Sequence, residues 1–139
     1  MGEVAVEVEL ENALDRQLAV EGKLPVAQVR LQKCRVLVDT GAVLMLLPQD
    51  LVEALGLRLK RKAIVAYADE RKEERSVAGV VTVRVGDREF DTDCIVGPPR
   101  CEPLLGQIVL EALDLLVDCP RQQLVPRPES PYLPTLKLK

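Results

Sequence analysis

The chain has 139 residues, of which 47% are hydrophobic, and a formal net charge of −3. These values support one compact domain with a hydrophobic core of its own. Histidine is absent and serine occurs only at Ser76 and Ser130, which excludes Ser-His-Asp and Cys-His nucleophilic sites. With three aromatic residues and no basic excess, the chain lacks the stacking surface and the positive groove that nucleic acids require, so we expect no nucleic-acid partner.

The cysteines and the N-terminal residues bear on cofactors and cellular location. Cys34, Cys94, Cys101 and Cys119 form no C-x-x-C pair, and no histidine could complete a mixed zinc site. We therefore expect neither a metal nor another cofactor. The first residues alternate acidic and apolar side chains, unlike a secretory signal, and no stretch approaches the ~20 apolar residues of a membrane-spanning helix. A reduced, cytoplasmic protein with no membrane partner is expected.

The first third of the chain predicts β structure. Apolar residues alternate with glutamates over residues 4–11, which is typical of a half-buried strand whose acidic side chains face solvent. A polar turn is predicted over residues 12–16 and a strand over residues 26–31. The next strand is almost wholly aliphatic, which predicts that it is fully buried, and it ends at Asp39.

The middle of the chain predicts a short helix and two hairpins. Pro48 and Gly56 would begin and end the helix. Strands are predicted over residues 64–67 and 77–85, and the almost wholly charged segment between them would form a projecting hairpin tip. A second hairpin would turn at residues 86–87, where glycine precedes aspartate.

The last part of the chain predicts a helix, a hairpin and an arm. The helix would follow Leu104-Leu105-Gly106 and carry an apolar stripe as far as Leu116, and residues 117–126 would form a closing hairpin. From Arg127 onward, closely spaced prolines favour an extended arm or a disordered tail over packed structure. We therefore divide the chain into a domain over residues 1–126 and a Pro-rich arm over residues 127–139.

Asp39-Thr40-Gly41 is the most informative motif, because aliphatic runs flank it on both sides. An ionised carboxylate buried in such surroundings is costly unless it is hydrogen-bonded or shares a proton. Thr40 can supply a hydroxyl, and Gly41 lets backbone N–H groups approach the carboxylate. The motif therefore predicts a loop that holds a functional acid. The alternative, a turn with an incidental sequence, fits the apolar flanks less well.

The order of motifs resembles that of retropepsin-like aspartic proteases, the retroviral type, in a single-lobe prokaryotic-type form. It consists of a strand, Asp39-Thr40-Gly41-Ala42, a second strand, a helix, a charged hairpin, a hairpin, and Leu104-Leu105-Gly106 before a helix. The resemblance covers roughly residues 4–126. It implies a mainly β fold, namely a single-lobe acid-protease closed β-barrel with two short helices. It also implies a homodimer, since each subunit of that family supplies one catalytic aspartate.

By this resemblance the protein would be an aspartic endopeptidase that cleaves a peptide or protein substrate. Asp39 of one subunit would act as general base on a water molecule, and Asp39 of the other would protonate the developing oxyanion. Thr40 would hydrogen-bond across the dimer, and Gly41 would bind peptide backbone. Substrate contacts are implied for Ala42, Val43, Tyr67 and Leu104, and a second active-site loop for Leu105 and Gly106.

Two departures from the family pattern keep other interpretations open. The hairpin over residues 67–76 takes the place of the flap that closes over substrate, yet it has many charges and no glycine at its tip. Val43 occupies the position directly after Asp-Thr-Gly-Ala, where polar residues are frequent in the family that the chain resembles. Both features favour a catalytically weak or inactive retropepsin-fold module for peptide binding or assembly, and a monomeric β-barrel domain without a site is a third hypothesis. Asp91 and Asp93 could share a cation, although a solvated strand face explains them more simply.

Overall fold

The chain is mainly β. In the computed structural model, which describes residues 3–138, it forms nine strands and three α-helices. The strands are β1 (Ala5–Asn12), β2 (Leu31–Val38), β3 (Met45–Pro48), β4 (Arg58–Ala66), β5 (Lys72–Val85), β6 (Arg88–Gly97), β7 (Leu104–Leu105), β8 (Leu115–Asp118) and β9 (Gln123–Pro126). The helices are α1 (Ala13–Val20), α2 (Gln49–Ala54) and α3 (Gln107–Leu113). Within residues 3–138, no helix has the length and apolarity needed to cross a membrane.

Seven strands form one sheet, in the order β1-β2-β7-β3-β6-β5-β4. Because β1 also pairs with β5, six of these strands close into a ring, and β4 extends from it as a hairpin with β5. Strands β8 and β9 form a separate two-stranded sheet. The predicted mainly β, single-lobe fold is confirmed, although the sheet is ring-like rather than the closed barrel that was expected.

One apolar cluster forms the core and draws on β1, β2, β3, β5, β6, β7, α2 and α3. Full burial of each large aliphatic side chain contributes about 1.5–3 kcal/mol relative to an exposed one. The largest fully buried aliphatic side chains are Leu10, Met45, Leu47, Leu55, Leu105 and Leu113. Residues from α2 and α3 therefore anchor the ring from within the same core.

The segment after β1 differs from its prediction. Helix α1 occupies the place of the predicted turn over residues 12–16, because Asn12 caps it: the Asn12 side-chain oxygen accepts the Asp15 N–H at 3.0 Å. Asparagine favours both turns and helix N-caps, so local sequence does not separate the two. The predicted strand over residues 26–31 is also wrong, since a 3-10 turn fills Val26–Gln28 and the strand begins only at Leu31.

Two acidic side chains near the start of the chain are buried and paired. Glu11 was expected to face solvent, but it is fully buried and accepts hydrogen bonds from Arg16 at 2.7 and 3.0 Å, with Arg84 at 3.5 Å. The bond from Arg16 is the main reason that the pKa of Glu11 is lowered despite burial. Arg30 likewise lowers the pKa of Asp15, through bonds at 2.8 and 3.1 Å from its guanidinium. Pairing is what makes burial of both charges possible.

The C-terminal part also departs from its prediction, in two places. The last helix ends at Leu113, before the predicted Leu116, because Asp114 has a left-handed backbone conformation with φ of 57°. Helix α3 is thus shorter than expected. The structure also has three α-helices where two were expected, because α1 is present as well. The predicted closing hairpin is confirmed as β8 and β9. Residues 127–135, predicted to lack packed structure, lie against the end of α3, and Ser130 is buried there.

The lowered pKa of Glu11 predicts how stability depends on pH. A carboxyl whose pKa is lower when folded stabilises the protein above its unfolded pKa, here about 4.5, and that stabilisation is lost as the pH falls through the folded pKa. We expect the free energy of unfolding, measured by urea titration from pH 7 to pH 3, to fall less steeply below about pH 4.5 for Glu11→Gln than for wild type. The exposed Glu70→Gln should follow wild type, and identical curves for wild type and Glu11→Gln would contradict the prediction.

Candidate active site

The Asp39-Thr40-Gly41 loop joins β2 to β3 and binds its own carboxylate. The Gly41 N–H donates to Asp39 Oδ1 at 2.9 Å, and the Ala42 N–H donates to the Asp39 carbonyl at 3.1 Å. A Cβ atom at Gly41 would lie 3.3 Å from Asp39 Oδ1, closer than most Cβ contacts. Glycine at this position therefore lets its own backbone N–H approach the Asp39 carboxylate and hold the orientation of that side chain.

Strand β7 fixes the start of the loop from below. It lies between β2 and β3, with Leu104 paired to Leu37 on one side and to Leu46 on the other. The carbonyl of Leu105 accepts the Asp39 N–H at 3.0 Å. Since Leu105 is fully buried in the core, the backbone of the acid is tied directly to the core.

Gly106 marks a close crossing of two backbone segments. A Cβ atom there would lie 2.3 Å from the Leu44 carbonyl oxygen and 2.8 Å from that of Ala42. Both distances are well inside van der Waals contact, and the obstructing atoms belong to backbone rather than to movable side chains. Only glycine fits this crossing, which places the segment after β7 directly against the residues that follow the motif.

Helix α3 begins immediately after the crossing, and its first two amides bind the loop. Gln107 N–H donates to the Ala42 carbonyl at 2.7 Å, and Ile108 N–H donates to the Val43 carbonyl at 3.1 Å. The first amides of a helix have no acceptor inside the helix, so these bonds satisfy both segments. Gln107 and Ile108 were not among the predicted site residues, although a helix that starts directly after a glycine is a sequence signal for such free donors.

The carboxylate lies at an open surface of the single chain. Asp39 is half-buried, Thr40 is exposed, and Val43 is 66% exposed. The prediction that the preceding strand is fully buried is wrong, because Val36 is its only buried residue. One face of β2 packs on the core while its other face near Asp39 is only partly covered. A second molecule can therefore reach the acid from this side.

The charged hairpin is formed by β4 and β5 and is more regular than predicted. Pairing continues to Ala66 and Lys72, which leaves a turn of only residues 67–71. Charged side chains occupy both strands, and some of them pair across the hairpin, as Lys62 and Glu74 do at 3.3 Å. Charge alone therefore did not indicate a loop here, since solvated strand faces accommodate it.

Tyr67 begins the turn of this hairpin, and its contacts are local. The Arg71 guanidinium lies 4.4 Å from the centre of the Tyr67 ring, and the Tyr67 hydroxyl is 3.5 Å from a Glu73 carboxylate oxygen. Glu73 in turn forms an ion pair with Arg75. Of the predicted site residues, 39–43 and 104–106 thus form one unit, whereas the described contacts of Tyr67 lie within the hairpin.

Asp91 and Asp93 each have a protein partner instead of a shared cation site. The Thr82 hydroxyl donates to Asp91 at 2.6 Å, and Lys60 donates to Asp93 at 3.0 Å. Arg61 also lies 3.4 Å from Asp93. Among residues 3–138, no group of three or more cysteine or acidic side chains is arranged to hold a metal.

The crossing predicts that Gly106→Ala is far more harmful than Gly41→Ala. The added methyl at residue 106 must push two backbone segments apart, and we expect a loss of about 3 kcal/mol in the free energy of unfolding. At residue 41 the methyl meets only a side-chain oxygen at 3.3 Å, so the fold should survive with a displaced carboxylate. Urea titrations of both variants test this, and equal stabilities would contradict the role of the crossing.

Comparison with known proteins adds a family match. The model of the family described as "gag-polyprotein putative aspartyl protease" matches residues 26–112, which include the Asp39 loop and the crossing at Gly106. No curated protein is significantly similar to the chain. The matched segment is more than half of the sequence and contains the two motifs on which the resemblance rests. The chain belongs to the retropepsin-like aspartyl protease family.

Proposed function

We propose that this protein is an aspartic endopeptidase whose active site consists of two Asp39 residues, one from each subunit of a homodimer. The observation that carries the proposal is a single carboxylate, held by hydrogen bonds, at an open surface. Gly41 orients Asp39 at 2.9 Å, and Leu105 fixes its backbone to the core. A chain with one such loop needs a second copy to supply a second acid.

Two carboxylates are needed because peptide hydrolysis requires a base and an acid at once. When they lie about 3 Å apart, both cannot ionise cheaply, so the pair holds one proton over an intermediate pH range. The ionised Asp39 takes a proton from water as the water oxygen attacks the scissile carbonyl carbon. The protonated Asp39 of the second copy donates its proton to the carbonyl oxygen. The product of these two transfers is a tetrahedral gem-diol. Its collapse breaks the C–N bond as the departing amine takes the proton from the first Asp39, and a gem-diol hydroxyl returns a proton to the second.

The residues around the acid would bind an extended peptide. Thr40 would hydrogen-bond between the two loops, and Gly41 would accept or donate to substrate backbone, as peptide strands are commonly recognised. The side chains of Ala42, Val43 and Leu104 would line the pockets, and Tyr67 would approach from the hairpin. A reduced, cytoplasmic setting is consistent with four cysteines that are all free thiols.

A second candidate function is peptide binding with little or no cleavage. The turn over residues 67–71 is closed by its own contacts, since Tyr67 N–H donates to the Arg71 carbonyl at 2.8 Å and the Arg71 side chain covers the Tyr67 ring. Glycine, which would let the turn bend over a substrate, is replaced there by charged residues. A hairpin held in this manner favours a slow enzyme or a binding module.

The catalytic proposal predicts that Asp39→Asn abolishes hydrolysis without unfolding the protein. Asparagine is similar in size but cannot take a proton from water, and we expect kcat/KM to fall about 10²–10⁴-fold. Cleavage of a mixed peptide library should be measured against pH for both proteins. Wild type should give a bell-shaped profile bounded by two pKa values that belong to the pair.

A matched control is Asp87→Asn, which removes an exposed carboxylate from the turn between β5 and β6. This variant should keep the wild-type rate and pH profile. Equal hydrolysis by wild type and Asp39→Asn would refute the enzymatic proposal. Peptide binding by wild type without any Asp39-dependent cleavage would instead support the second candidate.

A further inference from the structure

A groove of about 800 Å³ lies beside the Asp39 loop. Its lining comes from α3, β8, Thr40 and the end of the arm, and we refer to it as the arm groove. Three of its apolar side chains are exposed: Ile108 by 40%, Leu116 by 44% and Leu136 by 64%. Apolar side chains gathered around one groove are typical of a surface that another molecule covers.

The wall of the groove is held in place by Asp114, at the end of α3. Arg127 donates to one oxygen of its carboxylate, and the Thr135 N–H donates to the other at 2.8 Å. Asp114 is only 6% exposed, so these partners satisfy a buried charge rather than a solvated one. Two points of the arm, eight residues apart, are thus fixed to one side chain.

Arg88, from β6, fastens the middle of the same segment. It donates to the carbonyls of Leu113 and Asp114 at 2.9 and 3.0 Å and to the carbonyl of Ser130. The Ser130 and Thr135 hydroxyls are hydrogen-bonded to each other at 2.7 Å. Arg88 and Ser130 are both about 3% exposed. We call this set of contacts, together with those of Asp114, the arm latch.

We propose that the arm groove is the surface on which the second copy of this chain docks, and that the arm latch shapes this surface within each subunit. The inference rests on the proposed function, because two Asp39 carboxylates can share a proton only if they lie about 3 Å from each other. The two-fold axis then passes beside Asp39. Thr40, the next residue, lines the groove, so the groove begins next to the axis.

A two-fold interface uses the same patch on both copies. A patch that lies beside the two-fold axis therefore faces its own copy on the partner and is covered by it. Ile108, Leu116 and Leu136 would thus be removed from water by the same residues or their neighbours on the partner. The groove also carries both charge signs, Glu111 and Lys137, which two-fold symmetry can bring opposite each other. Its described lining includes no residue of the β4–β5 hairpin, so it is not a continuation of the peptide site beneath that hairpin.

The contacts of the latch keep the Asp114 carboxylate ionised into the acidic range. Hydrogen bonds from the Ser130 hydroxyl and the Thr135 amide, together with Arg127, lower the pKa of Asp114 to about 2. Asp114 therefore stays ionised in the folded chain at pH values well above about 2. Because the pKa is lowered on folding, the stabilisation is lost only as the pH falls from about 3.8 towards 2.

Sedimentation equilibrium of the full chain tests the proposal with Leu136→Glu and Leu116→Glu. Wild type should have a mass near twice 15.4 kDa at micromolar concentration. A charge buried in the groove should raise the dimer dissociation constant by about tenfold or more. The matched control is Val20→Glu at the end of α1, where the side chain is 74% exposed, and it should dimerise like wild type. Circular dichroism establishes that each variant is folded.

Activity separates failure of this inference from failure of the proposed function. Groove variants should lose hydrolysis at low protein concentration and regain it at high concentration, whereas Asp39→Asn should dimerise yet stay inactive. A dimeric, active wild type whose groove variants dimerise equally well would overturn the docking surface and leave the Asp39 pair intact. A monomeric wild type, or an Asp39→Asn variant that cleaves normally, would overturn the proposed function and this inference with it.

Discussion

The close approach of Gly106 to the carbonyls of Ala42 and Leu44 is the constraint on which the rest of the site depends. It brings β7 between β2 and β3, and it lets the first amides of α3 bond the loop after Asp39. The acid is therefore positioned by backbone from two distant segments rather than by side-chain packing alone. A site positioned in this way loses little conformational entropy on binding, because its geometry exists before another molecule arrives.

Much of the fold could be predicted because local patterns and tertiary structure agree. Alternation in β1, proline and glycine around α2, and the turn at Gly86 each indicate one structure. The errors have tertiary causes. Asn12 caps a helix while its side-chain amide donates to the distant Leu55 carbonyl, and Glu11 is buried because Arg16 and Arg84 reach it. At the end of α3, the left-handed Asp114 binds the arm. Leu55, Arg84 and Thr135 are all more than 20 residues from the side chains that they contact, so local sequence does not indicate these pairings.

The residues of the site could be predicted from sequence better than the structure of the segments around them. A carboxylate, a hydroxyl and glycine in an apolar context predict a held acid, and the structure brings residues 39–43 and 104–106 together. The degree of burial of Asp39 could not be predicted, since the aliphatic sequence of β2 does not reveal that Val36 is its only buried residue. The arm packs through Arg88 and Asp114, which no local pattern links to Ser130. Long-range polar contacts of this kind leave no periodic signal in a sequence.

Closure of the ring through β1 also has a consequence for how the chain is made. The first strand completes its pairing only with β5, and the bond from Arg84 to Glu9, at 2.7 Å, spans 75 residues. Contacts this distant in sequence slow folding, since a long loop must close before they form. During synthesis one edge of β1 stays unpaired until β5 has emerged. The Asp39 loop likewise lacks its contacts with β7 and α3 until the residues around Gly106 have been made. A nascent chain therefore carries the motif long before it carries the site.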